Sequence, residues 1–155
     1  MKKKIILIVV VVLLVAIQFV RIDQTNPVSN PQAEFAVVAS VPDNVQMILK
    51  ESCYDCHSNH TFYPWYANVA PVSWFLQHDI NEGREHLNFS DWGHYSADDR
   101  HDLLKECLKE VNEGEMPLKP YVLLHPNAKL TADEKETLKQ WFSANSAISV
   151  LAARN

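Results

Sequence analysis

Two cysteines three positions apart, followed at once by a histidine, constrain this chain more than any other feature. Cys53, Cys56 and His57 stand in the stretch CYDCHSNH (53–60), which holds two of the chain's three cysteines and two of its seven histidines. On a helical turn, side chains three and four positions apart lie on the same face. The spacing therefore predicts that these three side chains point to the same side of the helix and bind one common group.

Covalent attachment of haem c is the chemistry that this pattern serves. We expect Cys53 and Cys56 to form thioethers with the two vinyl groups of one haem, and His57 to bind the iron from the proximal side. Three alternatives are a thioredoxin-like redox pair, a zinc site that also uses His60, and a Cys53–Cys56 disulfide. Each is disfavoured, because a helical pattern precedes the motif, zinc-finger spacings are absent and the disulfide loop is tight.

The ligand on the distal side of the iron decides between electron transfer and ligand binding or catalysis. Met116 lies in NEGEMPLKPY (112–121), where two prolines stiffen the loop, and we predict that it is the distal ligand. Met47 is too close to the motif to reach the distal face. His78, on a helix beside aromatic residues, is the bis-histidine candidate, whereas we expect the other histidines to be solvated or hydrogen-bonded.

The N-terminus resembles an export signal or a membrane anchor. Lys2 to Lys4 precede an apolar run from Ile5 to Val20, interrupted only by Gln18. As a helix its 16 residues span about 24 Å, slightly short of a bilayer core of about 30 Å. Bulky residues stand where a signal peptidase needs small ones, so we expect an uncleaved anchor over residues 1–21. The positive-inside rule then locates the remainder in the periplasm or cell exterior, at the cytoplasmic membrane.

Charge and composition narrow the function further. The segment 1–20 carries three of the 14 basic residues and none of the 19 acidic ones, which leaves a net charge of −8 on the rest. Nucleic-acid binding is therefore disfavoured. Only three glycines against eight prolines argue against a glycine-rich nucleotide-binding fold.

Helical periodicity dominates the chain after a tether at 22–41, and we predict an all-α haem-binding domain over 42–155. One helix starts near Pro42 and runs into Cys53. Another starts near Pro71 and ends at Gly83, and its apolar face consists of Val72, Phe75, Leu76 and Ile80. A third begins at Ser96 and ends at Gly114, with Cys107 as a buried free thiol on its apolar stripe. A capping box at Thr131 opens the fourth, and the apolar residues Leu138, Trp141 and Phe142 follow at helical spacing.

Aromatic and basic side chains are candidates for the walls of a haem site. We expect apolar walls from the aromatic residues, and propionate contacts from a few donors. The wall candidates are FYPWY (62–66), Trp74, Phe75 and Trp92; the propionate candidates are Arg84, Tyr63 and Tyr121.

Two long stretches, CYDCHSNHTFYPWYANVAPVSWFLQHDINEGREHLNFSDW and EGEMPLKPYVLLHPNAKLTADEKETLKQW, strongly resemble the bacterial haem-binding domain family. The resemblance covers about residues 18 to 143. It implies a cytochrome-c-like helical fold, haem on Cys53 and Cys56, His57 as ligand, and Met116 where a distal ligand is expected.

These expectations define the leading hypothesis: an electron carrier with one covalent haem, tethered to the outer face of the membrane, with unknown redox partners. The alternative is a haem-based ligand sensor or a peroxidase-like enzyme with a labile distal ligand. For a peroxidase, His78 or His60 with Arg84 are the distal acid–base candidates.

Overall fold

The computed structural model describes residues 2–152 of the chain, and their side chains as far as Ser146. Within this range the regular secondary structure is helical. The all-α prediction is confirmed within that range, and residues 153–155 of the predicted domain lie outside it. The α-helices, in chain order, are α1 (Lys2–Ala16), α2 (Phe35–Val38), α3 (Asp43–Ser52), α4 (Tyr54–His57), α5 (Val72–His86), α6 (Ala97–Glu113), α7 (Lys119–Leu124) and α8 (Ala132–Ala152).

Three helix starts agree with the sequence signals. Pro42 precedes α3, which buries Val45 and Leu49. Ser96 and Thr131 each form a capping box, in which the hydroxyl accepts a hydrogen bond from the amide three residues later. These caps satisfy amide groups that an uncapped helix leaves without partners.

The predicted end of α6 is also confirmed. Gly114 adopts the left-handed conformation with φ of 73°, and its amide donates to the Glu110 carbonyl at 3.1 Å. A residue with a Cβ is strained in this conformation, which explains why glycine ends the helix here.

The core forms where α6 packs along α8, with α3 and the short α2 closing one side. Phe35 of α2 is fully buried and lies 4.9 Å from Phe89 and 4.5 Å from Trp92 between ring centroids. Trp92 is therefore a core residue. The segment ahead of α3 contributes to the core through Phe35.

Helix α5 differs from its prediction in both its end and its buried face. It continues past Gly83 to His86, and its buried residues are Ser73, Ile80 and Gly83. Val72 and Phe75, predicted on the apolar face, are exposed. Gly83 faces inward because α4 packs directly on α5: a Cβ at Gly83 would lie 2.7 Å from the carbonyl oxygen of Cys56.

The predicted transmembrane helix is wrong, and with it the predicted single membrane pass and membrane localisation. No helix within residues 2–152 is both long enough and apolar enough to cross a bilayer. Helix α1 has 15 residues and spans about 22 Å, because a 3₁₀ turn at Ile17–Phe19 ends it. The apolar run of the sequence continues to Val20, but the α-helix ends at Ala16, and composition alone does not show this end.

The residues after α1 are held on the folded domain. The Gln18 amide donates to the Ala70 carbonyl at 2.9 Å and accepts from the Ala70 amide at 3.0 Å. Arg21 donates to the Asn68 carbonyl at 2.7 Å, and the Trp74 indole donates to the Val20 carbonyl at 3.1 Å. Gln18, the one polar residue of the apolar run, thus has a specific partner.

Candidate functional site

A cavity of about 430 Å³ lies between α3, α4, α5, α6, α8 and the loop that leads into α7. Its volume is in the range of small-molecule and cofactor sites. Apolar side chains from separate parts of the chain form its walls: Leu49, Leu87, Phe89, Leu103, Val111, Pro117, Leu118, Leu138 and Phe142. Cys53, Cys56, His57 and Met116 all line this same cavity.

The Cys-x-x-Cys-His motif consists of Cys53, the N-cap residue, and the short helix α4 that follows it. The amides of Cys56 and His57 both donate to the Cys53 carbonyl, at 3.2 Å and 3.0 Å. This single turn brings the two sulfurs and the imidazole to one side of the cavity, as the spacing predicts. Helix α4 is fixed in turn by its close contact with Gly83 of α5.

The His57 ring is oriented by two backbone carbonyls. Its Nδ1 lies 2.9 Å from the oxygen of Gly83 and 3.1 Å from that of Leu87. Carbonyl oxygens only accept hydrogen bonds, so Nδ1 carries the proton and Nε2 has a free lone pair. Burial lowers the pKa of His57, which also favours the neutral imidazole that binds metals.

Burial raises the pKa of both Cys53 and Cys56 to about 12, with the neighbouring Cys56 and Asp55 charges respectively as the next causes. Thiols in this state differ from the acidic thiols of redox-active Cys-x-x-Cys pairs. All three cysteines are free. No group of three or more His, Cys, Asp or Glu side chains in the described range is arranged to hold a metal ion. The redox-pair, disulfide and zinc alternatives therefore gain no support.

Met116 reaches the cavity from the loop between α6 and α7. Its amide donates to the Glu110 carbonyl at 3.3 Å, and so do the amides of Gly114 and Glu115, both at 3.1 Å. The side chain is half-buried and lines the cavity, while Met47 on α3 is 65% exposed and lies outside it.

Two other histidines, His78 and His86, line the cavity, both from α5. His60 lies elsewhere and contacts Glu34 at 2.9 Å. His101 donates to the Ser146 carbonyl at 2.6 Å. Of the peroxidase-type candidates His60, His78 and Arg84, only His78 is therefore at the cavity.

The expected walls and propionate contacts are largely wrong. None of the aromatic residues proposed as walls lines the cavity; Phe89, Tyr121 and Phe142 do. Arg84 is outside it, donating to the Ser58 carbonyl and the Thr61 hydroxyl, both at 2.8 Å. Tyr63 is also outside. Of the three propionate candidates, only Tyr121 lines the cavity. The apolar residues at helical spacing after Thr131 were the sequence pattern that could have identified Phe142 as a wall residue.

The charged side chains along the cavity are mostly acidic. Five carboxyl groups and no lysine or arginine are among its described lining residues: Asp55, Asp79, Glu82, Glu106 and Glu110. The Tyr121 hydroxyl donates to Asp55, so the side-chain donors left for an anionic edge of a cofactor are those of Ser52, His78 and His86.

The residues fit haem. The cavity has a suitable volume and apolar walls. Cys53 and Cys56 present protonated thiols from one helical turn, and Nε2 of His57 is free to bind a metal. No curated relative and no solved structure matches the chain. The family described as Haem-binding domain matches residues 12–144, most of the length. The chain therefore belongs to the haem-binding domain family, and haem is the cofactor that this membership supports.

Proposed function

We propose that this protein is a c-type cytochrome that carries one covalent haem and acts as an electron carrier. The observation that carries the proposal is the His57 ring, whose Nδ1 donates to two carbonyls and whose Nε2 is left free beside Cys53 and Cys56. An imidazole constrained in this way keeps one orientation through repeated redox changes.

The two thiols hold the cofactor in this proposal. Cys53 and Cys56 would hold haem through thioethers, each formed by addition of one S–H across one vinyl double bond, which would consume no oxidant or reductant. Their raised pKa values keep the thiols protonated in the folded apoprotein, which limits disulfide formation before the cofactor arrives.

In this proposal His57 and Met116 are the residues that would bind the haem iron. The iron supplies a one-electron change between Fe(III) and Fe(II), and a thioether ligand raises its potential. The apolar walls exclude water from this site, so that the protein reorganises little when the charge changes. No acid–base residue is needed for this reaction.

His78 is the specific rival for the distal position, because it lines the same cavity. A labile or absent Met116 bond, by contrast, leads to the alternative function of a ligand sensor or peroxidase-like enzyme. Arg84 is held by Ser58 and Thr61 outside the cavity, so the peroxidase variant lacks its proposed partner.

Absorption spectra of the oxidised and reduced protein, after expression with a haem c maturation system, test this proposal. We expect haem that stays attached after denaturation, a low-spin spectrum and the weak long-wavelength methionine-to-iron band. Met116→Ala should lose this band and bind carbon monoxide in the reduced state. Met47→Ala is the matched control, because the Met47 side chain is exposed on α3, and this variant should behave like wild type.

Two other results would change the conclusion. Equal carbon monoxide binding by wild type and Met116→Ala would remove Met116 as the ligand and favour sensing or catalysis. A low-spin spectrum that persists in Met116→Ala but is lost in His78→Ala would indicate bis-histidine ligation.

A further inference from the structure

We infer that Asp55 and Tyr121 form a bridge that positions Met116 over the haem iron, with Tyr121 as the positioning residue. The inference rests on the proposed function, since it presumes that Met116 is the distal ligand. It assigns a role to Asp55, one of the two residues between the attachment cysteines, which the motif alone leaves open.

The bridge is a direct contact between the two sides of the site. Asp55 belongs to α4, where it lies between Cys53 and Cys56, and Tyr121 belongs to α7. The Tyr121 hydroxyl donates to Oδ2 of Asp55 at 2.7 Å. The other carboxyl oxygen, Oδ1, accepts from the Phe62 amide at 2.9 Å, so the Asp55 side chain has a fixed orientation.

The loop that carries Met116 is fixed at both ends. At its start, three successive amides converge on the Glu110 carbonyl at the end of α6. At its far end, α7 begins at Lys119, and Tyr121 ties that helix to α4. The bridge thus connects the distal loop directly to the helix that bears the proximal ligand.

Neighbouring rings keep Tyr121 in place. His125 stacks on it with 4.1 Å between ring centroids, and His125 Nδ1 lies 3.1 Å from the Tyr121 carbonyl oxygen. That nitrogen must donate, which leaves Nε2 to accept from the Tyr66 hydroxyl at 3.3 Å. Tyr121 is therefore held by its ring, its carbonyl and its hydroxyl.

Asp55 and Tyr121 also line a second cavity of about 480 Å³ on the outer side, beside Lys50 and His125. The same two residues line the haem cavity. The two residues therefore form a wall that the two cavities share.

Competition by imidazole for the ferric iron tests the inference in the haem-loaded protein. Tyr121→Phe removes only the hydroxyl and so breaks the link between α7 and α4, while the ring and carbonyl contacts of residue 121 with His125 remain. We expect imidazole to bind about tenfold more tightly, which corresponds to the free energy of one lost hydrogen bond. The long-wavelength methionine band should weaken in parallel.

Two comparisons separate a bridge from a general structural effect. Tyr63→Phe makes the same chemical change at a tyrosine whose hydroxyl has no hydrogen-bond partner among the described residues, and should match wild type. Asp55→Asn replaces the charged acceptor of the bridge with a neutral and weaker one, and it is the second variant if Tyr121→Phe does not fold. It should also tighten imidazole binding. The double variant should bind imidazole no more tightly than the stronger single one, because both changes act on the same contact.

The outcomes distinguish the two proposals. If Met116→Ala binds imidazole far more tightly than wild type but Tyr121→Phe does not, Met116 remains the ligand and the bridge is overturned. If the effects of Tyr121→Phe and Asp55→Asn simply add, the two residues act independently, which also overturns it. If wild type and Met116→Ala bind imidazole equally, the distal ligand and the bridge are both rejected.

Discussion

His57 illustrates at the scale of one residue what a motif can predict. The pattern Cys-x-x-Cys-His marks the residue as a candidate ligand, but not the groups that orient its ring. Those groups are the carbonyls of Gly83 and Leu87, 26 and 30 residues away. Because any residue supplies a carbonyl, no residue type in the sequence signals this partnership.

Gly83 has a different role in the structure from the one that the sequence predicts. Sequence analysis assigns it to a helix end, where glycine is common. In the structure it lies inside α5, and a Cβ there would come within 2.7 Å of the Cys56 carbonyl oxygen and 3.1 Å of its Cβ. Glycine is needed for the close approach of two helices.

Gly83→Ala should therefore destabilise the protein even though alanine favours helix. The overlap with backbone costs about 1–3 kcal/mol, against a propensity gain of up to about 1 kcal/mol. We expect a net loss in urea unfolding of the apoprotein and a lower yield of attached haem. Glu85→Ala, at an exposed position of the same helix, is the control. A Gly83→Ala protein as stable as Glu85→Ala would show that α4 and α5 can separate freely.

Helices are the scale at which the sequence was most informative. The caps at Ser96, Thr131 and Gly114 are local signals, and each marks a helix boundary that the structure confirms. The face of α5 is different, because its burial depends on what packs against it. Close contact with α4 requires Gly83, and of the predicted apolar face Ile80 is buried while Val72 and Phe75 are exposed.

The capping box of α8 gives a prediction with a definite pH dependence. Glu134 accepts from the Thr131 amide at 2.8 Å, and these hydrogen bonds lower its pKa below the ordinary value of 4.5. A carboxyl group with a lowered folded-state pKa adds stability above about pH 4.5, and this stability is lost as the pH falls through the folded value. Thr131→Ala should cost about 1 kcal/mol at pH 7.

The pH profile of unfolding is the measurement that isolates this effect. Glu134→Gln keeps the hydrogen-bonding group and removes only the titrating charge. The difference in unfolding free energy between wild type and Glu134→Gln should therefore shrink between about pH 5 and about pH 3. Ser96→Ala removes the matched cap of α6 and is the comparison for the loss of the Thr131 hydroxyl. A Glu134→Gln difference that stays constant down to about pH 3 would contradict the role of Glu134.

At the scale of the whole molecule, the candidate site joins parts of the chain from Leu49 to Phe142. The sequence identified the Cys-x-x-Cys-His motif and offered Met116, and the side chains of both line the cavity. It did not identify the walls, because the exposed aromatic residues Phe62, Trp65 and Phe75 are no less apolar than the buried ones. Which aromatic residue is buried depends on long-range packing, and the same holds for the docking of Gln18 on Ala70.

Thiol counting gives a whole-molecule test of covalent haem. The chain has three cysteines, and Cys107 on α6 is the one outside the motif. If Cys53 and Cys56 form thioethers, the denatured haem-loaded protein should expose one reactive thiol, and the reduced haem-free chain three. In the native protein Cys107 should react slowly, because burial raises the pKa of its thiol. Cys107→Ser should lower each count by one, to zero and two. Three reactive thiols in a denatured sample that had shown bound haem would mean that the haem is held without covalent bonds.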